Sequence, residues 1–194
     1  MIIFIVVVSI YMFLHSFLAD KTVKQFFYNY LISEKNYRFF FVSYATIFLL
    51  PIVYLYAKGD KTEFYYPNLI SLIIGWGLIV LSVYAFFVSF KNYNIHEFLG
   101  LDRLKSADKV FYPLKVEGLN RYVRHPLYSF SYILIIGIFL ISPNDYVLAA
   151  SIITAIYLPV GIYFEEKKLL EEYGDAYYEY MSKVPKLIPS FIRI

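Results

Sequence analysis

Residues 124–166 read RHPLYSFSYILIIGIFLISPNDYVLAASIITAIYLPVGIYFEE. Two apolar runs, Pro126 to Ile141 and Tyr146 to Phe164, carry no Lys, Arg, Asp or Glu, and Ser142-Pro143-Asn144-Asp145 separates them. That four-residue cluster is a turn by composition. In an apolar solvent a backbone must satisfy its polar groups internally, which a helix does. The stretch therefore predicts two antiparallel helices. At 1.5 Å per residue each arm is about 25–30 Å long, so the start of the first and the end of the second lie at one level. Two polar clusters occupy those places, Arg124-His125-Pro126 and Glu165-Glu166.

Pro126 suits the first turn of a helix, where its missing N–H costs nothing, and it favours an extended conformation at His125. A helix N-terminus beside Arg124 and His125 is a site for an anion. The Glu pair across the hairpin suits an ammonium group. A zwitterion with a carboxylate and an amine fits between the two clusters. A plain ion pair between Arg124 and Glu165 or Glu166 is the structural alternative, and the pattern alone leaves both open.

The rest of the chain extends the membrane reading. Of 194 residues, 60% are hydrophobic and only 17% charged, and mean hydropathy is +0.57. A soluble domain carries about a quarter charged residues, so a disordered chain, a nucleic-acid-binding arm and an ordinary soluble enzyme are excluded. With no Cys, there is no disulfide, thiolate nucleophile or Cys-ligated metal. Three more stretches lack charge: Met1 to Ala19, Phe39 to Ala57 and Tyr65 to Phe90. The first has no basic n-region and reads as an anchor, not a signal peptide. A spanning helix takes about 20 residues. The expected fold is thus all-α and integral to the membrane, with five transmembrane helices over 1–19, 39–57, 65–90, 126–141 and 146–164, in a single domain of 1–194.

Basic residues fix an orientation. The first loop (20–38) has four, the second two, the third (91–125) seven, the fourth none and the tail (165–194) five. Five spans put sixteen of these on one side and two on the other. The positive-inside rule then places the N-terminus outside and the C-terminus in the cytoplasm. In the tail, Gly174-Asp175 reads as a helix stop followed by an N-cap. A short helix over Ala176 to Lys183 follows, ended by Pro185 and Pro189. Val184 to Pro189 then either folds over the hairpin mouth or lies on the lipid surface. The long third loop, with His96 in Asn94 to Leu101, is apolar enough to pack over the same mouth.

Gly118-Leu119-Asn120-Arg121-Tyr122-Val123-Arg124-His125-Pro126-Leu127-Tyr128 resembles the G-x-Y-x-x-V-R-H-P-x-Y segment of the isoprenylcysteine carboxyl methyltransferase superfamily of integral-membrane methyltransferases. Glu165-Glu166, Gly174, Tyr177, Tyr180, Val184-Pro185 and Pro189 resemble its downstream acidic and Tyr-rich segment, so the resemblance covers about residues 115–191. Asn120 departs from the pattern where Tyr is usual. His15 to Ala19, Tyr37-Arg38, Ser43 to Pro51 and Glu97 to Leu101 are similar to the methanethiol S-methyltransferase branch.

The resemblance implies a methyltransferase dependent on S-adenosyl-L-methionine, with its cytoplasmic C-terminal helical segment covering the last helix hairpin. It assigns Arg124, His125 and Glu166 to catalysis. Tyr122, His125, Pro126, Tyr128, Glu165, Glu166, Tyr177, Tyr180 and Pro185 then belong to cofactor binding. The acceptor is a small thiol such as methanethiol or another membrane-accessible, lipid-like group, with carboxyl O-methylation as the other chemistry and membrane lipid as a partner. His15 and His96 are candidates to assist the thiol, set against a plain packing role. Two alternatives differ in class. One is an NADPH-dependent enzyme like the sterol reductases, whose terminal segment is similar. The other is a non-enzymatic accessory protein of nitrogen-oxide or haem metabolism, with His15 as haem ligand.

Overall fold

The computed structural model describes residues 1–91, 114 and 116–190. Among these residues the structure is helical apart from turns and one isolated bridge pair. Four helical stretches are long and apolar enough to cross a membrane: Ile2–Ala19, Asn36–Lys58, Leu69–Phe90 and Asp145–Tyr173. Pro126–Ile141 is a shorter apolar helix. The chain forms two compact units, one containing residues 1–62, the other the described residues from 63 onward.

In the first unit, α1 (Ile2–Ala19) ends at Asp20, whose extended backbone turns the chain. The Asp20 carboxylate accepts the N–H groups of Thr22 and Val23 and so caps α2 (Lys21–Tyr30). The charge pattern predicts a loop over residues 20–38. They instead hold α2 and the start of α3 (Glu34–Ile47). The Tyr37 hydroxyl, buried, donates to Leu18 O at 2.6 Å, and Tyr11 donates to Ala45 O at 3.1 Å. These bonds align α1 antiparallel to α3. The expected second span breaks at Phe48 into α3 and α4 (Leu49–Lys58). Pro51 explains the break, because it has no N–H for the carbonyl of Ile47.

In the second unit, α5 (Leu69–Lys91) begins four residues later than the apolar run, at an Asn68 side chain that accepts the N–H of Ser71. Its buried face is built of small residues, Gly75, Ser82, Ala85 and Ser89. α6 (Pro126–Ile141) crosses it at Gly137. A Cβ added at Gly75 would lie 2.5 Å from Ile141 Cγ2, and one at Gly137 would lie 2.9 Å from Gly75 O. Close backbone approach through small residues is how helices associate in lipid.

The predicted turn at 142–145 is present. Asn144 is fully buried, caps α7 (Asp145–Tyr173) through Val147 N, and holds Ser142 Oγ through its amide. α6 and α7 run antiparallel, with Tyr128 against Gly161 and Tyr132 against Ala155. Pro159, inside α7, leaves the Ala155 carbonyl without its helical donor. The Tyr132 hydroxyl supplies one at 3.0 Å. Helix α7 runs two turns past its apolar part, carrying Glu165 and Glu166 on the continuing helix. It stops at Gly174, whose φ of +54° suits glycine. α8 (Asp175–Lys183) starts directly after it. Asp175 is therefore the first helical residue and not the cap that the sequence suggested.

Candidate active site

Arg124 and His125 lie in the short approach to α6, after a 3-10 turn at Gly118–Arg121. Pro126 is the first residue of α6, as expected. Glu165 and Glu166 lie on α7, and α8 with the following tail closes the group from the C-terminal side. Arg124 and His125 come from the segment before α6, Glu165 and Glu166 from within α7, and the last partners from the tail.

Glu166 is the hub. Its Oε1 accepts from Arg124 Nε at 3.0 Å and Nη2 at 2.7 Å, and lies 3.2 Å from His125 Nε2. Its Oε2 pairs with Lys186 Nζ at 2.8 Å. Arg124 Nη1 donates to the carbonyls of Met181 (2.9 Å) and Val184 (2.7 Å). The Arg124 side chain is 7% exposed and that of Glu166 9%. A buried pair of this kind keeps its charges only because further hydrogen bonds satisfy both groups. The other His125 nitrogen, Nδ1, lies 3.7 Å from Glu165 Oε2.

The tail is tied down mostly by backbone. Arg124 N donates to Pro185 O (2.9 Å), His125 N to Lys186 O (3.2 Å) and Ser190 N to Tyr122 O (2.9 Å). Ser129 Oγ donates to Leu187 O at 2.6 Å. Of the two paths left open for residues 184–189, the structure has the one over the hairpin mouth.

The tyrosines divide. Tyr128 packs edge-on to His125, with ring centroids 5.6 Å apart. Tyr177 and Tyr180 are buried with Val184 in a small core. Tyr180 donates to Asn120 O at 2.7 Å, so the position that departs from the family pattern contributes through its backbone. The Tyr177 hydroxyl is buried close to Arg124 and makes no hydrogen bond of regular geometry. Burial is the main cause that pushes its pKa up to about 12. The nearby Glu166 charge adds to this and Arg124 opposes it. A cleft of about 630 Å³ runs between residues 114–122, α8 and the tail, with Tyr122, Tyr180 and Pro185 on its wall beside Arg121 and Lys183.

The residues assigned to catalysis or cofactor binding thus all fall in one region of the second unit, around residues 120–186. Pro185 enters through both its carbonyl and the cleft, and Pro126 by starting α6. Tyr122 stands open among them, at 37%. His15 belongs to the first unit, packed against Phe41 at 4.9 Å, with a buried Nδ1 that makes no hydrogen bond. His96 lies outside the described residues. Sequence reasoning missed Lys186 and Ser129. Lys186 follows a proline already singled out. Ser129 stands one helical turn after His125, the spacing at which a hydroxyl reaches the helix mouth.

Residues 70–176 match the phospholipid methyltransferase family. Methanethiol S-methyltransferase of Crocosphaera subtropica is 31% identical over 90% of this chain and 69% of its own length. The protein of that name from Pseudomonas deceptionensis is 25% identical over 97% of this chain and 72% of its own. Methanethiol S-methyltransferase 1 of Bradyrhizobium diazoefficiens is 26% identical over 90% and 62%. No solved structure matches.

Proposed function

Because the chain belongs to the phospholipid methyltransferase family, and within it to the methanethiol S-methyltransferase branch, we propose that it moves a methyl group from S-adenosylmethionine to a small thiol. It is a membrane methyltransferase. The observation that carries the finer reading is the convergence of Arg124, His125 and Glu166 under the tail, in a chain similar to thiol methyltransferases along 90% of its length.

The residues fit this cofactor. Its amino-acid end is a zwitterion, and Glu165 stands half-open beside a cationic cluster. Its sulfonium is a cation, which suits the faces of Tyr128 and Tyr122. The Tyr177 hydroxyl has hydrogen-bonding capacity that the protein leaves unused. The cleft, whose walls include Tyr122, Tyr180 and Pro185 but not His125, Tyr128, Glu165 or Tyr177, is of a size that takes a drug-sized ligand. His125, Pro126, Tyr128, Glu165, Tyr177, Tyr180 and Pro185 surround the cofactor in this reading. Arg124 and Glu166 hold the frame.

When bound, S-adenosylmethionine supplies a methyl carbon already activated by a positive sulfur. Transfer to a thiolate consumes one cation and one anion, so no new charge needs stabilising. The protein's work is alignment and exclusion of water. The tail supports both, since backbone bonds fix it over His125 and Ser129. A thiol must first lose its proton. His15 and His96 are the candidates, and His15→Ala tests the first through the thiol KM and its pH profile. In the same reading the chain is one membrane domain with five spans, counting Pro126–Ile141. Its N-terminus lies outside and its C-terminus in the cytoplasm, because sixteen of eighteen basic residues fall on that side.

The test is calorimetric titration of the detergent-purified protein with S-adenosylmethionine, S-adenosylhomocysteine and NADPH. Headspace chromatography for dimethyl sulfide from methanethiol follows. Micromolar binding of both S-adenosyl ligands, none of NADPH, and product formation are expected. Binding without product removes the acceptor and keeps the cofactor. NADPH binding alone overturns the proposal.

A further inference from the structure

The cleft beside α8 carries a charged set of its own. Arg121, Glu179 and Lys183 line it together with the apolar Leu114, Val116 and Val184. Glu179 and Lys183 pair one helical turn apart on α8, with side chains 67% and 55% exposed. So open a pair at this spacing is weak, and Lys183 is free to turn to a stronger anion. The exposed Arg121 guanidinium makes no hydrogen bond or ion pair among the described residues. Two cations against one carboxylate leave these walls with an excess of positive charge. S-adenosylmethionine carries a net positive charge from its sulfonium and does not call for that excess. An anion does.

Depth selects the anion. Glu166 stands two residues beyond Phe164, where the apolar run of α7 ends. Arg124 bonds both Glu166 Oε1 and Val184 O at 2.7 Å, and Val184 lines the cleft. The cleft thus lies at the level where the hairpin leaves its apolar layer. In a bilayer that level is the headgroup zone, where each lipid phosphate stands beside the first methylenes of its acyl chains. The cleft offers the matching surfaces, cations next to apolar walls, and Tyr122, 37% exposed, is the residue type enriched at this depth.

We propose that the cleft is a seat for one anionic phospholipid. Arg121 takes the phosphate, whose oxygens match the guanidinium fork. Lys183 is the second cation, and Leu114, Val116 and Val184 lie along the glycerol and upper acyl segments. The seat needs neither the methyl donor nor the thiol. It shares the tail with the hairpin mouth, since Val184 and Pro185 line the cleft while their carbonyls bond Arg124.

The test is native mass spectrometry of the full-length protein in neutral detergent, titrated with dioleoylphosphatidylglycerol, dioleoylphosphatidylcholine or inorganic phosphate. The anionic lipid should bind roughly five- to tenfold more tightly than the zwitterionic one. Arg121→Gln should remove most of that preference, and Arg121→Lys should keep part of it. Lys183→Gln should cost about two- to threefold, because Lys183 must leave Glu179. Lys168→Gln, which removes an exposed cation of α7 outside the cleft, should change binding by less than about twofold. Four results overturn the proposal. Equal binding of the two lipids removes the anion preference. Equal losses in Lys168→Gln and Arg121→Gln show diffuse surface attraction. Displacement of the lipid by inorganic phosphate makes this a small-anion site. Displacement by S-adenosylmethionine makes the cleft part of the donor site.

Discussion

The pairing of Tyr132 with the carbonyl freed by Pro159 can be measured as a coupling. Ala155 O has lost its helical donor at position 159, and the Tyr132 hydroxyl replaces it at 3.0 Å. Tyr132→Phe removes the hydroxyl and leaves an unpaired acceptor between two helices. An unsatisfied buried acceptor costs about 1–3 kcal/mol, and interhelical hydrogen bonds in membranes average about 0.6 kcal/mol with a maximum near 1.7. A loss of roughly 1–1.5 kcal/mol is expected. Pro159→Ala returns the N–H of residue 159, which closes the normal helical bond to Ala155. In that background Tyr132→Phe should cost less than about 0.5 kcal/mol, so the coupling energy is on the order of 1 kcal/mol. The assay is a double-mutant cycle from urea unfolding in mild detergent, followed by circular dichroism. Equal costs of Tyr132→Phe in the wild-type and Pro159→Ala backgrounds would refute the assignment of the hydroxyl to the proline gap.

The helix crossing offers a test with its own control. Gly137→Ala should destabilise by about 1–3 kcal/mol, since the new methyl meets Gly75 O at 2.9 Å, whereas Gly77→Ala, with nothing within 4 Å, should stay within about 0.5 kcal/mol in the same thermal melts. Glu166→Ala and His125→Ala should each weaken S-adenosylmethionine at least tenfold, about 1.4 kcal/mol, by calorimetry. Wild-type affinity in both rejects their place in the site. Tyr177→Phe should match or exceed wild-type stability at pH 7, because the lost hydroxyl makes no hydrogen bond of regular geometry. Its folded pKa is raised to about 12, above the unfolded value near 10. The native state therefore keeps a proton that the unfolded chain loses. Wild-type stability declines as pH rises from about 10 to 12, and the Phe variant should lack that part of the decline in unfolding curves taken across this range.

The sequence made the hairpin legible because its two apolar runs, the four-residue turn and Pro126 all state the same local preference. It also brought Arg124 and Glu166 to one level by helix length alone. Helix α2 was not legible in a segment read by its charges. Its start signal, Asp20, is a single capping residue before a mixed polar run. The break at Phe48 was visible only as Pro51, whose effect falls on the carbonyl four residues earlier. Gly75 and Gly77 flank Trp76 and look alike in sequence, yet only Gly75 faces α6. That distinction depends on helix rotation, which a nearly all-apolar run does not encode. Lys186 escaped notice because its role depends on the tail's path, and backbone carbonyls fix that path.

Those carbonyls set terms for divergence. The groups that grip residues 181–187 engage main-chain oxygens of Met181, Val184, Pro185, Lys186 and Leu187. A carbonyl belongs to every residue type, so most side chains there are free to change while the grip persists. Selection on this stretch falls on its trajectory, which Pro185 and, just beyond it, Pro189 stiffen, more than on its letters. Alignments of related chains by residue identity will therefore undervalue the tail, and alignments by spacing from Gly174 to Pro189 will recover it.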